Sequence, residues 1–298
     1  MEYHNPVLLQ ETVDGLNIKE DGVYVDVTFG GGGHSKEILN RLGEKGKLIA
    51  FDQDKDALLN TINDERFILI NENFRYVKRF LKFYGFKKVN GILADFGVSS
   101  HQFDVAERGF STRFEADLDM RMNQDDTLSA FHVVNDYTEE QLRCMLKDYG
   151  ELRQAPAMAR VITAARLNNH IKTSVQLKEV LQRFLPPRKE NKILAQIYQA
   201  IRIEVNQEIA VLKEFLLQCP ELLIKGGRLS FISYHSLEDR LVKRFIRNGL
   251  FEGEPERDVF GNFEVPLKKV GGLIIPNAEE IAINNRARSA KLRVAEKI

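Results

Sequence analysis

The sequence predicts an α/β fold in which a mainly parallel sheet, flanked by helices, is interrupted by a helical insertion. Three observations lead to this prediction. A strand pattern over residues 23–28 runs directly into four glycines and a helix-compatible segment. Two further apolar strand patterns end at Asp52 and Asp95. The chain between the fourth and fifth predicted strands, residues 96–226, is far longer than the crossover helix that neighbouring parallel strands require.

The glycine turn at residues 30–33 is the first candidate binding element. Because glycine has no Cβ, such a turn can adopt positive φ and let a ligand lie against bare backbone at the positive end of the following helix. Asp52 follows about 20 positions later, where doubly wound folds place a carboxylate on a ribose diol. The turn and this carboxylate together predict an adenosine-bearing cofactor.

Charge separates the two main classes of such cofactors. A pyrophosphate is disfavoured beside an anion, and Asp26 stands just before the glycines. The third glycine of the dinucleotide pattern G-x-G-x-x-G is also missing, because Ser35 stands in its place. S-adenosylmethionine has no phosphate and carries a sulfonium and an ammonium, so nearby carboxylates favour it. We therefore expect S-adenosylmethionine rather than a nicotinamide dinucleotide.

The order of the predicted strands brings these residues to one crevice. A third strand, residues 66–71, leads through Phe74 into a helix, and the fourth strand, residues 89–95, ends at Asp95. Open α/β sheets bind ligands at the carboxyl ends of their strands. The glycine turn, Asp52 and Asp95 should therefore converge.

The remaining chain divides into an insertion and a return to the sheet. Helix patterns fill the insertion, so we predict a discontinuous cofactor-binding domain, residues 1–103 and 206–298, and an inserted helical domain, residues 104–205. After the fifth strand, residues 227–234, a helix is predicted with Ser236 as its N-cap. That helix carries a basic stripe made of Arg240, Lys243, Arg244 and Arg247. Residues 250–285 are predicted to be loop-rich and residues 286–296 to form a final strand near the sheet edge.

Composition sets the outer bounds on function. The 298 residues are 43% hydrophobic and 29% charged, with a formal net charge of zero, which argues against a wholesale polycation but not against clustered charge that binds nucleic acid. The two cysteines, Cys144 and Cys219, have no partner at ligand spacing, so we predict neither a metal site nor a disulfide. No run approaches the roughly 20 apolar residues of a membrane span, and no targeting signal is visible. We expect a cytoplasmic protein that does not associate with membranes.

Six motifs give the sequence a specific resemblance. They are Thr28-Phe-Gly-Gly-Gly-Gly-His-Ser35, Asp95-Phe-Gly-Val-Ser-Ser100, Arg108-Gly-Phe-Ser111, Leu118-Asp-Met-Arg-Met122, Tyr234-His-Ser-Leu-Glu-Asp-Arg240 and Asn285-Arg-Ala-Arg-Ser-Ala-Lys-Leu-Arg293. With His4-Asn-Pro-Val7 at the start, they resemble the bacterial ribosomal RNA small-subunit methyltransferase H family, also known as MraW, in the family's order.

This resemblance implies a Rossmann-like class I sheet that depends on S-adenosylmethionine, interrupted by an all-helical substrate-recognition domain. It implies methyl transfer to the exocyclic N4 of a cytidine in the decoding, P-site region of 16S rRNA, with the RNA free or within the small ribosomal subunit or an assembly intermediate. The family's cofactor contacts fall on Gly32, Gly33, His34, Asp52, Phe74, Asp95 and Gln102. His101 stands where the family commonly has proline.

The group that assists the N4 amine is not implied by the resemblance. Cytosine N4 is a poor nucleophile because its lone pair is delocalised into the ring, so an acceptor for its hydrogens would help. Besides Asp95, the candidates are Ser99 and His235, and the alternative for His235 is a structural bond to the backbone. Two other functions stay open: a non-catalytic rRNA-binding assembly factor and a nicotinamide-dependent oxidoreductase. The oligomeric state is not predicted.

Overall fold

The structure, a computed structural model, describes residues 6–258, 260 and 263–298. His4 and Asn5, where the resemblance begins, lie outside these residues. Contacts divide the chain into unit 1, Met1–Gly97 with Ile209–Ile298, and unit 2, Val98–Glu208. The sequence places the boundaries at 103/104 and 205/206, and the division into two domains stays a prediction.

The strands of the described chain, in order, are β1 (Val23–Asp26), β2 (Lys47–Phe51), β3 (Phe67–Ile70), β4 (Val89–Asp95), β5 (Leu223–Ser233), β6 (Leu267–Ile274) and β7 (Lys291–Lys297). The α-helices are α1 (Leu9–Gly15), α2 (Gly33–Arg41), α3 (Val77–Phe83), α4 (Ser100–Asp104), α5 (Ala130–Asp136), α6 (Glu139–Asp148), α7 (Ala155–Arg166), α8 (Ser174–Leu181), α9 (Glu190–Val205), α10 (Glu208–Leu222), α11 (Ser236–Asn248) and α12 (Ala278–Ile283). Short 3-10 helices lie at Lys55–Asn60, Phe74–Tyr76, Ala106–Arg108, Gln182–Phe184 and Asn285–Ser289.

Unit 1 is built on a seven-stranded sheet with the order β3-β2-β1-β4-β5-β7-β6. The neighbours among β1 to β5 are parallel, whereas β7 is antiparallel to both β5 and β6. The direction in which successive strands are added reverses between β1 and β4, and a ligand crevice is expected outside the carboxyl ends of the strands at such a point. The predicted Rossmann-like class I sheet is confirmed.

The sheet is covered on both faces, which explains why its central strands are apolar without alternation. On one face, Phe51 and Phe231 pack in the same cluster as Phe215 of α10. On the other face, Leu48 packs with Ile38 of α2. Because both faces of the sheet are covered, a ligand reaches the strands at their carboxyl ends.

Unit 2 is helical, as the sequence predicts for the insertion. Its helices α4 to α9 enclose a separate apolar core that includes Leu142 of α6 and Ile197 of α9. The predicted capping box that opens α6 is present, with the Thr138 side chain accepting from the Gln141 N–H. No helix within the described ranges is long and apolar enough to cross a bilayer.

The C-terminal region corrects two sequence predictions. Residues 250–285 were expected to be loop-rich, but they contain β6 and α12. The final strand begins at Lys291 rather than at residue 286, and it lies near the sheet edge as predicted, between β5 and the edge strand β6. The pattern of β6 is hidden because Gly271 adopts a φ of 66° and the register shifts between Val270 and Ile274, which breaks the apolar alternation.

We expect Phe215→Ala to lower the free energy of unfolding by about 3–5 kcal/mol, because it leaves a cavity in the core of unit 1. Phe215 is fully buried, and its ring centroid lies 5.1 Å from that of Phe74 and 5.5 Å from that of Phe231. Leu217→Ala, on the same helix but 55% exposed, is the matched control and should change it by less than about 0.5 kcal/mol. Urea denaturation followed by circular dichroism measures the free energy of unfolding of both variants. Equal losses would contradict the conclusion that α10 packs on the sheet through the side that carries Phe215.

Candidate functional site

The glycine turn brings bare backbone to the start of α2. Gly32 is the N-cap residue with a φ of 76°, a left-handed conformation that disfavours residues with a Cβ. A Cβ added at Gly33 would lie 2.1 Å from Cγ of Pro6, so the segment before α1 closes over the turn. Within the described residues no side chain caps α2, so its first N–H groups remain available to an anionic group.

Asp26, the last residue of β1, accepts hydrogen bonds from residues on both sides of the glycine turn and is only 1% exposed. Its Oδ2 accepts from the Ser35 hydroxyl at 2.7 Å and its Oδ1 from the Thr28 N–H at 3.1 Å. The Thr28 hydroxyl oxygen in turn accepts from the Asp95 N–H at 2.6 Å. These bonds join the ends of β1 and β4 to the first turn of α2.

Asp52, directly after β2, supports the turn from the side. Its Oδ2 accepts from the Gly30 N–H at 2.8 Å, and its Oδ1 accepts from the Asp54 N–H at 2.9 Å. Each carboxylate oxygen has further acceptor capacity beyond one bond. Asp52 can therefore order the turn and still accept hydrogen bonds from a diol.

Asp95, the last residue of β4, is bonded from the neighbouring strand. The Tyr234 hydroxyl, just after β5, donates to Asp95 Oδ1 at 2.7 Å. Burial is the main cause that raises the Tyr234 pKa well above its ordinary value, and the Asp95 charge adds to it. The phenol therefore stays protonated and remains a donor to the carboxylate.

The site is electrostatically unbalanced toward negative charge. Burial raises the pKa of Asp26, Asp52 and Asp95 to about 6 each, and the hydrogen bonds that they accept, preceded at Asp95 by the charge of His34, offset this only in part. Burial also lowers the pKa of His34, against the opposing pull of the Asp95 charge. The imidazole Nε2 of His34 lies 3.0 Å from the Val7 carbonyl oxygen, so its side chain faces the lead-in segment. When His34 is neutral, none of the described groups that set the pKa values of these three carboxyls carries a positive charge.

Phe74 is half-buried beside the sheet. Its ring centroid lies 5.1 Å from that of Phe215 and 6.1 Å from that of Phe96. It lies in the 3-10 turn that Asn73 caps, directly after β3. Phe74 is thus partly a core aromatic, and its exposed part is available to a planar ligand group.

Ser99 and Gln102 are described within unit 2, where they form a capping box at α4. Ser99 Oγ accepts from the Gln102 N–H at 3.2 Å, and Gln102 Oε1 accepts from the Ser99 N–H at 3.0 Å. The box holds Gln102 in place although His101 stands where the family commonly has proline. The glycine turn, Asp52 and Asp95 come together in unit 1 as expected from the strand order.

The prediction that Ser236 caps α11 is wrong by one residue. The N-cap is His235, whose side chain accepts from the Glu238 N–H, while its Nε2 lies 3.1 Å from Glu238 Oε1. Glu238 Oε2 accepts in turn from the Tyr234 N–H at 3.0 Å. A serine before an acidic turn is the commoner cap, which is why local sequence favoured it.

Thr28 and Tyr234 are site residues that sequence reasoning missed. Thr28 was read only as the end of a strand, and Tyr234 only as part of a motif. Both stand at carboxyl ends of parallel strands, so the rule that selected Asp52 and Asp95 would also have selected them.

Comparison with known proteins places this chain in a family. The family model described as the MraW methylase family matches residues 1–298. The ribosomal RNA small subunit methyltransferase H of Christiangramia forsetii is 72% identical over 298 residues, covering 100% of this chain and 99% of the relative. The proteins of the same name from Flavobacterium johnsoniae and Bacteroides fragilis are 71% and 51% identical, covering 100% and 99% of this chain and 99% and 97% of the relatives.

The fold and the acidic crevice define a methylase that uses S-adenosylmethionine, so the cofactor prediction is confirmed. The chain belongs to the MraW methylase family, and the resemblance in its motifs is confirmed. Among solved structures, a rRNA methylase from Streptococcus thermophilus aligns over 100% of this chain and 99% of its own at 12% identity and a TM-score of 0.44, a similarity too low to assign a function.

We expect the affinity for S-adenosylmethionine to fall as the pH is lowered through about 6. Above that pH the carboxyls of Asp26, Asp52 and Asp95 are ionised and attract the cationic ligand, and below it they are protonated. The loss should reach about tenfold per pH unit for each carboxyl that must ionise. Calorimetric titration between pH 5 and 8 measures it, and an affinity independent of pH would contradict it.

A matched variant and a matched ligand sharpen this test. Tyr234→Phe removes a hydrogen-bond donor that lowers the Asp95 pKa. The pH at which the affinity for S-adenosylmethionine begins to fall should therefore rise, by up to about one unit. 5′-Methylthioadenosine lacks both positive charges and should show a shallower pH dependence.

Proposed function

We propose that this protein transfers the methyl group of S-adenosylmethionine to the exocyclic N4 of a cytidine in the decoding, P-site region of 16S rRNA. Family membership and relatives at 51–72% identity named ribosomal RNA small subunit methyltransferase H support the substrate. The observation that carries the donor site is the set of three carboxyls, the buried Asp26 and the half-buried Asp52 and Asp95, around a helix start with no side-chain cap among the described residues. A 16S rRNA partner, within a small subunit or an assembly intermediate, belongs to the same proposal.

The donor fits the described groups by charge and hydrogen bonding. Asp52 accepts from the ribose hydroxyls with the acceptor capacity that Gly30 and Asp54 leave free. The N–H groups of Gly33 and His34 face the methionine carboxylate, because free N–H groups at a helix start bind anions. The Gly32 N–H donates to the Phe29 carbonyl at 2.7 Å, so Gly32 contributes its lack of a side chain, which lets the ligand approach the backbone.

Three further residues complete the proposed donor site. The exposed part of Phe74 covers one face of the adenine. Asp95 lies near the cationic end of the donor or accepts from the adenine amino group. Gln102 is proposed from the family alone, and its capping box gives it a defined orientation within unit 2.

The proposed chemistry at the acceptor depends mostly on positioning. The sulfonium supplies an electrophilic methyl group, and the N4 lone pair must lie in line with the bond that breaks. The target base must leave its stack to reach such a pocket. The Asp95 carboxylate, held by Tyr234 and ionised at neutral pH, can accept a hydrogen bond from N4 and so localise its lone pair.

The two weaker catalytic candidates, His235 and Ser99, differ in how their polar atoms are already used. His235 uses one ring nitrogen to cap α11 and directs the other at Glu238, so its geometry favours the structural role. Ser99 accepts the capping bond from Gln102 through its oxygen and retains a hydroxyl proton. Ser99 stays a candidate for orienting the base.

We expect Asp95→Ala to abolish measurable binding of S-adenosylmethionine, because it removes one of the three carboxylates that attract the cationic ligand. Asp21→Ala, an exposed acid before β1, is the control and should bind as the wild type does. Calorimetry measures both affinities, with circular dichroism to verify folding. Unchanged affinity in Asp95→Ala would remove this residue from the site.

The reaction itself is tested by the nucleoside produced. Wild-type protein with isotopically labelled S-adenosylmethionine should convert one cytidine of 16S rRNA to N4-methylcytidine, detected by mass spectrometry of the digested RNA. Unmodified 16S rRNA and small subunits from cells that lack the gene serve as parallel substrates. Bound RNA without any transferred label would identify a non-catalytic assembly factor and overturn the proposal.

A further inference from the structure

A cavity of about 400 Å³ lies between α11 and the antiparallel strands β6 and β7 of unit 1. None of the residues proposed to bind the donor lines it. Its volume falls in the range of roughly 300–1,000 Å³ that is typical of ligand pockets. The proposed donor site therefore does not account for it.

The rim of this cavity is cationic. It carries Lys243 and Arg247 from α11, Lys268 and Lys269 from β6, and Arg293 from β7. No aspartate or glutamate is among the described residues that line it. Lys243, Arg247, Lys269 and Arg293 lie on the side of α11, whereas Lys268, next to Lys269 in β6, points to the other face of the sheet. The four cations repel one another, so an anionic occupant would stabilise the arrangement.

Among the described residues, three of the cations on the side of α11 lack an acidic partner. Arg293 donates to Asp239 at 2.7 Å, and Arg247 donates to the side-chain oxygen of Asn248 at 2.9 Å. Across the part of the chain that the structure describes, no carboxylate lies within ion-pair distance of Lys243, Arg247 or either β6 lysine. This charge is available to a ligand.

Two basic residues at the start of α3, Arg75 and Lys78, show the contrast. Arg75 pairs with Glu214 at 2.6 Å, and Lys78 pairs with Glu221, both on α10. Those cations are neutralised within unit 1. The cavity at α11 is therefore the stronger candidate for an external anion.

Protection of an edge strand explains only part of the rim. Lysines on an exposed edge such as β6 hinder pairing with other chains. Lys269 is in register with Ala295, whose side chain packs in the same cluster as Phe245 and Ile246 of α11, so Lys269 shares the face of α11. Edge protection does not account for Lys243 on the opposite wall.

The floor of the cavity is aliphatic. Ile246, Val265, Leu267 and Val294 line it. Protein interfaces are enriched in aromatic residues and depleted in lysine, whereas this surface has three lysines and no aromatic residue among its described lining residues. A rim of lysine and arginine suits repeated phosphates, with sugar or base edges against the aliphatic floor.

We propose that this cavity anchors the phosphate backbone of the RNA substrate at a second contact, separate from the residues that hold the methyl donor. The contact is independent of base sequence, because the cations meet phosphates rather than base edges. It holds the RNA while the target cytidine is extruded. This inference rests on the proposed function, since it takes rRNA as the substrate.

The test is a triple variant, Lys243→Ala with Arg247→Ala and Lys269→Ala. We expect its affinity for a 16S decoding-region RNA to fall about tenfold or more at 0.15 M salt. The slope of log affinity against log salt should shrink by about two to three, because up to three phosphate contacts are lost. Affinity for S-adenosylmethionine and kcat at saturating RNA should stay at wild-type values.

A triple variant with the same charge change is the control. It combines Lys45→Ala, Lys87→Ala and Lys225→Ala. These three lysines are exposed at the edge of the sheet where β2, β4 and β5 begin. This control should keep the wild-type affinity and salt slope. Equal losses of RNA affinity in both triple variants would show that only the net charge of the protein matters, and would overturn the proposal.

Two other outcomes would also overturn it. Unchanged RNA affinity and salt slope in the cavity variant would exclude a phosphate anchor. A loss seen only with assembled small subunits, and not with naked RNA, would identify a protein partner instead. Wild-type methyl transfer is measured in the same preparations, so a failure of the proposed function shows as absent N4-methylcytidine whatever the binding data are.

Discussion

The site depends on one buried hydrogen-bonded junction around Thr28. This residue donates its N–H to Asp26 and accepts from the Asp95 N–H, while Ser35 donates to the other oxygen of Asp26. The junction ties β1, β4 and α2 together at the carboxyl edge of the sheet. Because Asp26 is almost fully buried, an unmade bond here would leave a desolvated polar group, which costs about 1–3 kcal/mol or more. The position of the glycine turn therefore follows from the strands.

The same burial makes the crevice suited to a cation. Removal from water raises the pKa of three neighbouring carboxyls to about 6, and the adjacent His34 is biased toward its neutral form. A positively charged ligand would offset this accumulation of negative charge, whereas a pyrophosphate would add to it. A glycine turn that is shared with dinucleotide-binding folds thus serves a methylase. The difference lies in the acids that surround it.

The C-terminal part of the sheet shows where local patterns fail. β6 contains two glycines and two lysines, and its alternation is broken by a register shift, so the sequence there resembles a loop. It becomes a strand because β7 offers it a partner and α11 packs against it. The cap of α11 also depends on its surroundings: the Glu238 N–H donates to the His235 side chain, and Glu238 Oε2 accepts from the Tyr234 N–H, so His235 rather than serine is the N-cap.

The sequence by itself determined the class of sheet, the helical insertion, the glycine turn and the acids at the strand ends, because apolar periodicity and glycine act over a few neighbouring residues. The tertiary structure alone decided that Tyr234 meets Asp95, that Thr28 joins two strands, and that β7 lies inside the sheet. The cationic cavity at α11 likewise required the fold, because its walls come from three separate segments of the chain, residues 243–247, 265–272 and 293–298. Contacts between distant segments depend on strand order and register, which no local pattern encodes.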